Sequence, residues 1–237
     1  MLVVMPGGLY GRLGAVLSAL IVVCCLIGLT MHADFYAGVR RRDFLLYYTN
    51  LSNLLVLIYF ALVAPLLYAR ASLRWLIPHA EFALTMTILL TFAVFHLWLF
   101  PDVRRQLRGV RRTRLFCIVC ADNLVVHYIV PLLTLCYWLL CSPGKAALSA
   151  RDALTWTAVP LAYLLAILVR APLCGPIYGT SSAYPYPFLD IPARGARQVA
   201  FTCAGLYACC AAVGLGVVAL VHLAFFCLGS GHALALI

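Results

Sequence analysis

The chain has 237 residues, 65% of them hydrophobic and only 10% charged, and its mean hydropathy is +1.04. Soluble domains carry about 25% charged residues, so the composition excludes a water-soluble globular enzyme and predicts a polytopic membrane protein. The formal charge of +10 would suit a nucleic-acid partner, but the positions of the basic residues fit membrane topology instead, and no nucleic acid is expected.

Crossing a hydrocarbon core of ~30 Å at ~1.5 Å per residue requires about 20 apolar residues. Runs of that kind lie at about 12–31, 44–69, 80–100, 115–141, 153–171 and 196–228. The expected fold is therefore all-α, six transmembrane helices in one bundle, with residues 1–237 forming a single transmembrane domain. The first run follows Arg12 but is long for a signal h-region and has no small-x-small cleavage site after it, so it is read as an uncleaved helix.

The second run opens with Tyr47-Tyr48-Thr49-Asn50-Leu51-Ser52-Asn53 and contains Pro65. Polar side chains at membrane depth are kept where they face a packed interior or a water-filled pocket. The third run carries His96 near its end, and the fourth carries Asp122, Asn123 and His127 ahead of Pro131. Pro131 frees the carbonyl of His127, which needs another donor in a lipid environment. Pro160 interrupts the fifth run. The connection from Tyr178 to Arg197 holds Tyr184-Pro185-Tyr186-Pro187-Phe188-Leu189-Asp190; its X-Pro pairs favour a stiff, extended backbone across one mouth of the bundle. The sixth run, with Ala204, Ala208, Ala211, Ala212, Gly214 and Gly216, suits close helix packing.

With six spans, one side of the membrane receives Arg12, Arg70, Arg74, Lys145 and Arg151. The other receives Arg40, Arg41, Arg42, Arg104, Arg105, Arg108, Arg111, Arg112, Arg114, Arg170, Arg194 and Arg197. By the positive-inside rule the second side is cytoplasmic. The arginine run also suits contact with anionic lipid headgroups. Eleven cysteines lie mostly within the spans and read as small buried hydrophobes. Cys117 and Cys120 have C-x-x-C spacing, but no second pair or histidine doublet accompanies them, so no metal site and no cofactor are expected. His79, His96 and His222 read as boundary or packing residues.

Thr49 and Asn53 are four apart, with Ser52 three from Thr49, and Asn123 and His127 repeat the four-residue step; each set shares one helix face. A hydroxyl beside a neutral imidazole can act as nucleophile and general base. On that reading Thr49 and His127 are the catalytic candidates, with Asn53 and Asn123 as oxyanion donors. Ser52, Tyr186 and Asp190 are further candidates for contact with substrate. The alternative is that the same groups only bond across to neighbouring helices, in a structural or solute-handling protein. Counted from Asp43 and Arg114, Asn53 rather than Thr49 is level with His127 unless tilt or a helical extension of the basic segment closes the gap.

Tyr48-Thr49 with Asn50-Leu51-Ser52-Asn53, Asn123-x-x-x-His127 before Pro131, and Tyr186-Pro187-Phe188-Leu189-Asp190 before Gly195-Ala196-Arg197, set in six spans, resemble the androgen-induced protein family and its six-helix bacterial and protist relatives. The resemblance covers about residues 12–228. It implies a membrane-embedded hydrolase of fatty-acid esters of hydroxy fatty acids, in which Thr49 matches the nucleophile and His127 the base. An acyltransferase is the related alternative, with a lipid alcohol replacing water at the same site. The implied partner is membrane lipid.

Overall fold

The computed structural model describes residues 9–33, 43–101, 121, 123–178 and 180–232. Every regular element among them is helical. In chain order these are α1 (Leu9–His32), α2 (Tyr48–Ala69), α3 (Ala71–Leu99), α4 (Val125–Cys141), α5 (Ala150–Cys174) and α6 (Ala196–His232). All but the shorter α4 are long and apolar enough to cross a membrane. The protein is a multi-pass integral membrane bundle.

The boundaries differ from the sequence expectation for local reasons. Phe44–Leu46 forms a separate 3₁₀ turn, and α2 starts only at Tyr48, after Tyr47 in an extended conformation. α3 starts at Ala71 rather than near 80, because Ala71–Leu76 winds as 3₁₀ turns into an α-helix with Pro78 in its first turn, where a missing N–H does no harm. α5 breaks at Trp156 and Thr157, so Pro160 lies in the first turn of Ala158–Cys174, again among amides with no intrahelical acceptor. The start of the fourth expected span, the arginines at 40–42 and 104–114, Cys117, Cys120 and Asp122 lie outside the described residues.

Three π-turns answer three prolines. A proline cannot bond the carbonyl four residues back, and its ring crowds that carbonyl. The residue just before each proline reaches five back instead: Ala64 to Tyr59, Phe100 to Phe95 and Val130 to Val125. These turns precede Pro65, Pro101 and Pro131. Such turns are rare and often occur at functional sites. Two of them hold Phe95 and His127, and place those rings face to face, 3.8 Å between centroids.

α1 packs on α2 and α4, and α3 on the same two helices, giving a four-helix core around Ile21, Cys25, Val56, Ile88 and Val130. α6 lies against the first turns of α5, and the pair joins the core through Phe82, Met86, Trp138, Trp156 and Cys210. The α5 start is fixed by Ser149, whose amide and hydroxyl both donate to Asp152 Oδ2 at 2.8 Å, while His79 Nδ1 meets Asp152 Oδ1 at 2.6 Å. His222 Nε2 is 2.7 Å from the Leu148 carbonyl, and His96 Nδ1 is 3.0 Å from the Tyr128 hydroxyl.

The α1–α4 seam depends on Gly28, where a Cβ would lie 2.7 Å from Val126 and 2.9 Å from Val125. Gly28→Val should therefore lower stability by about 1–3 kcal/mol through overpacking, read as earlier thermal unfolding in detergent. Gly205→Ala, which meets nothing within 4 Å and lies inside α6, should not lower the transition, since alanine is the better helix former.

Candidate functional site

A cavity of about 480 Å³ lies where the four-helix core meets α5 and α6. Its walls are apolar: Leu90, Val94, Phe95 and Leu99 from α3, Leu161 and Leu164 from α5, Cys203, Leu206 and Cys210 from α6. Tyr186, Phe188 and Leu189 from the connection before α6 close one end, beside Tyr48 and Thr49. That connection is fastened to the bundle. The Tyr178 amide donates to Asp43 Oδ2 at 2.6 Å, Arg170 Nη1 donates to the carbonyls of Gly175 and Ala183 at 2.8 and 3.0 Å, and Phe188 stacks on Trp98.

Thr49 is the second residue of α2, on the cavity wall and 6% exposed. The first amides of a helix have no intrahelical acceptor and carry its positive dipole end. Here the Tyr186 phenol lies beside the Tyr48 and Thr49 backbone and the Thr49 side chain. Burial pushes that phenol above its ordinary range, so it stays neutral. Tyr186 thus places an oxygen at the start of α2, where a substrate carbonyl oxygen could sit.

Ser52 and Asn53, fully buried, serve the walls rather than the cavity. Ser52 Oγ lies 2.7 Å from Thr91 Oγ1 of α3. Asn53 Nδ2 donates to the Thr49 carbonyl at 2.8 Å and to the Val126 carbonyl at 3.1 Å. One amide group therefore joins the turn of Thr49 to the turn of His127. Asn53 Oδ1 is buried with no hydrogen-bond partner among the described residues.

His127 is 4% exposed and lies off the cavity wall; Phe95, stacked on one face of its ring, is on the wall. His127 Nδ1 is buried without a partner among the described residues, and the Thr91 backbone lies within hydrogen-bonding reach of the ring. Asn123 is part-buried one turn before His127. Asp190 is occupied within its own loop: Oδ1 accepts from the Ala193 amide at 3.0 Å and Oδ2 from Ser182 Oγ at 2.6 Å. The structure thus gathers Thr49 and Tyr186 on one wall, sets Ser52, Asn53 and His127 just behind it, and leaves Asp190 as a helix cap.

Sequence reading passed over two polar groups, one part-buried and one buried. His32, at the end of α1, bonds Asn50 Oδ1 through Nδ1 at 2.8 Å and stands edge-on to His127. Glu81, 1% exposed, accepts from the hydroxyls of Tyr59, Tyr68 and Tyr137 on one oxygen at 3.0, 3.3 and 3.1 Å. Among the described residues no three His, Cys, Asp or Glu side chains gather as a metal site would require.

Comparison of the chain with protein-family profiles, curated proteins and solved structures finds no match.

The clamp between α2 and α3 is open to a double-mutant cycle. Ser52→Ala and Thr91→Ala remove opposite ends of the same bond, so their effects should be non-additive by about 0.6–1.7 kcal/mol. Thermal unfolding of both single variants and the double variant in detergent measures this coupling.

Proposed function

We propose that this protein is an intramembrane lipid-ester hydrolase related to the androgen-induced protein family, with Thr49 as nucleophile and His127 as general base. One observation carries the reading: a threonine at a helix N-terminus lines an apolar cavity of about 480 Å³, within the ~300–1,000 Å³ typical of small-molecule sites. Fatty-acid esters of hydroxy fatty acids are the substrate class that the resemblance implies, and the apolar walls suit their acyl chains.

In the reaction, an ester enters from the bilayer and its carbonyl oxygen takes the place of the Tyr186 phenol oxygen at the start of α2. The Phe95 ring turns aside as the acyl chain fills the cavity, exposing His127. Thr49 Oγ bonds to the carbonyl carbon while its proton passes to His127. The Tyr48 and Thr49 amides donate to the developing oxyanion, a placement effective where water is excluded. Collapse breaks the ester C–O bond, and His127 returns the proton to the departing alcohol. Water then attacks the Thr49 acyl ester with His127 again as base; the bond from the acyl carbon to Thr49 Oγ breaks, His127 returns the proton to Oγ, and the acid leaves. Asn53 acts here as a clamp between α2 and α4, and Ser52 as one between α2 and α3, roles supported by their bonds to Val126 and Thr91.

The membrane sidedness belongs to the same proposal. Twelve basic residues against five put the 178–197 connection, and the mouth it covers, on the cytoplasmic face.

Purified protein treated with a fluorophosphonate or an activated acyl ester should become labelled at Thr49. Thr49→Ala should remain folded and unlabelled, and His127→Ala should lose about 10²–10⁴-fold in labelling rate. Full labelling of Thr49→Ala would remove the nucleophile assignment. If label and turnover are present, product analysis with and without a lipid alcohol separates hydrolysis from acyl transfer.

A further inference from the structure

The cavity has two unlike ends, and α6 runs from one to the other. Cys203 packs with Tyr48, Tyr186 and Leu189 at the end where Thr49 lies. Seven residues further along, Cys210, 6% exposed, packs in a layer with Met86, Trp138 and Trp156. Both cysteines line the cavity, whereas Met86, Trp138 and Trp156 do not. The far end is therefore a floor. Cys210 and Leu206 from α6 and Leu90 from α3 line the cavity and at the same time belong to the packed layer behind it, and a close-packed layer resists the entry of further groups.

Between the two ends, no Asp, Glu, Lys, Arg or His lines the cavity among the described residues. Its hydroxyls are engaged by the protein itself: Tyr163 donates to the Leu46 carbonyl at 2.8 Å, Tyr48 to that of Thr87 at 3.4 Å, and Thr91 Oγ1 lies 2.7 Å from Ser52 Oγ. A ligand reaching from Thr49 to Cys210 thus runs along hydrocarbon surface. On the side of α5 and α6 the cavity is lined by Leu161 and Tyr207, which are also among the exposed apolar side chains. The Tyr207 hydroxyl lies 3.1 Å from Thr157 Oγ1, so one polar contact ties α6 to α5 across that side.

We propose that the cavity is a measuring pocket for one medium-length acyl chain, its ester carbonyl at Thr49 and its terminal methyl against Cys210, with Cys210 as the residue that sets chain length. This rests on the hydrolase reading and names the acyl group the same site accepts. From Cys203 to Cys210 the helix rises about 10 Å at ~1.5 Å per residue. An extended chain of single bonds advances about 1.2 Å per atom, as three backbone atoms do over ~3.5 Å of extended polypeptide, so a straight acyl chain meets the floor at about its ninth carbon. A shorter chain leaves apolar wall uncovered, and each buried methylene lost weakens binding about fourfold. A longer chain has to displace the floor or bend out past Tyr207 and part it from Thr157.

The experiment uses the full-length protein in detergent micelles and has two readouts. The first needs no turnover: a nine-carbon alkyl methyl ketone carrying a diazirine is photolysed on wild-type protein and the insertion sites are mapped by mass spectrometry. With the diazirine on the last carbon, insertion is expected at Leu90, Leu206 or Cys210; with it beside the carbonyl, at Tyr48, Thr49 or Tyr186. The second readout sets pentanoyl, nonanoyl and hexadecanoyl p-nitrophenyl esters in competition within the same micelles, the released acids being resolved by mass spectrometry. Wild type should favour the nonanoyl over the hexadecanoyl ester about tenfold or more in kcat/KM. Cys210→Phe, which raises the floor, should move the nonanoyl-to-pentanoyl ratio about tenfold toward the shorter chain, and Cys210→Ala should move preference toward the longer one, with folding of both variants checked by thermal unfolding.

Insertion of the terminal diazirine at Leu161 and Tyr207 instead of the floor, or equal kcat/KM for the nonanoyl and hexadecanoyl esters, overturns the proposal. If no ester is turned over and Thr49 takes no label, while terminal insertion still maps to the floor, the hydrolase reading falls and the chain pocket stands. If esters are hydrolysed and label maps to Thr49, but long chains compete equally and terminal insertion misses the floor, the hydrolase reading stands and the measuring role of Cys210 falls.

Discussion

In hydrocarbon a polar group can be satisfied only by another polar group of the same protein, and in this bundle that constraint draws donors and acceptors together at two levels. Near the start of α2, Asn53 gives both of its protons to backbone carbonyls, one on its own helix and one on α4. Near the far end of the same helix, Tyr59 and Tyr68 converge with Tyr137 on Glu81. Glu81 and Phe95 are fourteen residues apart on α3, about 21 Å at ~1.5 Å per residue. The four-helix core is pinned near both ends, and the relative height of Thr49 and His127 follows from those pins.

The prolines contribute geometry as well as interruption. Because each is preceded by a turn that reaches five residues back, the helix widens locally and the side chains beyond it rotate relative to an unbroken α-helix. At Pro101 and Pro131 this occurs at facing positions on α3 and α4, and the outcome is the Phe95–His127 stack. An apolar ring between cavity and imidazole keeps His127 sheltered in the closed bundle. The same ring is the only part of that pair on the cavity wall, so occupancy of the cavity and exposure of His127 are mechanically linked in the proposed reaction.

Much of this was legible in the sequence. The apolar runs gave the helices, and polar residues at four-residue steps marked the faces of α2 and α4 that meet at Asn53 and Val126. Counting residues in from the basic segments left either Thr49 or Asn53 to stand level with His127, and it is Asn53 whose bond to the Val126 carbonyl joins the two turns. Other features were hidden by boundary placement. His32 fell one residue beyond the expected end of the first span, and Glu81 sat at the expected start of the third. Once α3 is seen to begin at Ala71, Glu81 is well inside it and needs partners. Asp190 had a local signature, an aspartate with proline two residues on, which suits a helix N-cap; it caps Ile191–Arg194. Tyr186 at the start of α2 had no local signature, since only tertiary folding of the 178–197 connection brings it there.

The cavity's location follows from unequal packing. α1 to α4 interlock through residues with no exposed surface, such as Ile21, Val56, Ile88 and Val130. α6 instead leaves Phe201, Val213, Leu220 and Phe226 exposed and meets α5 mainly at that helix's first turns. Gly214 makes the contact tight there, its α-carbon set close against the Ala153 carbonyl and the Trp156 indole. Toward the other end side chains of the 178–197 connection, Tyr186 and Leu189 among them, pack with those of α5 and α6, and the volume between these helices and α3 is left to side chains that do not fill it. Helices held at one end and bridged by a loop at the other can part at the bridged end without unpacking the core. An apolar ligand arriving laterally from the bilayer would meet that seam first, with Thr49 at its polar end.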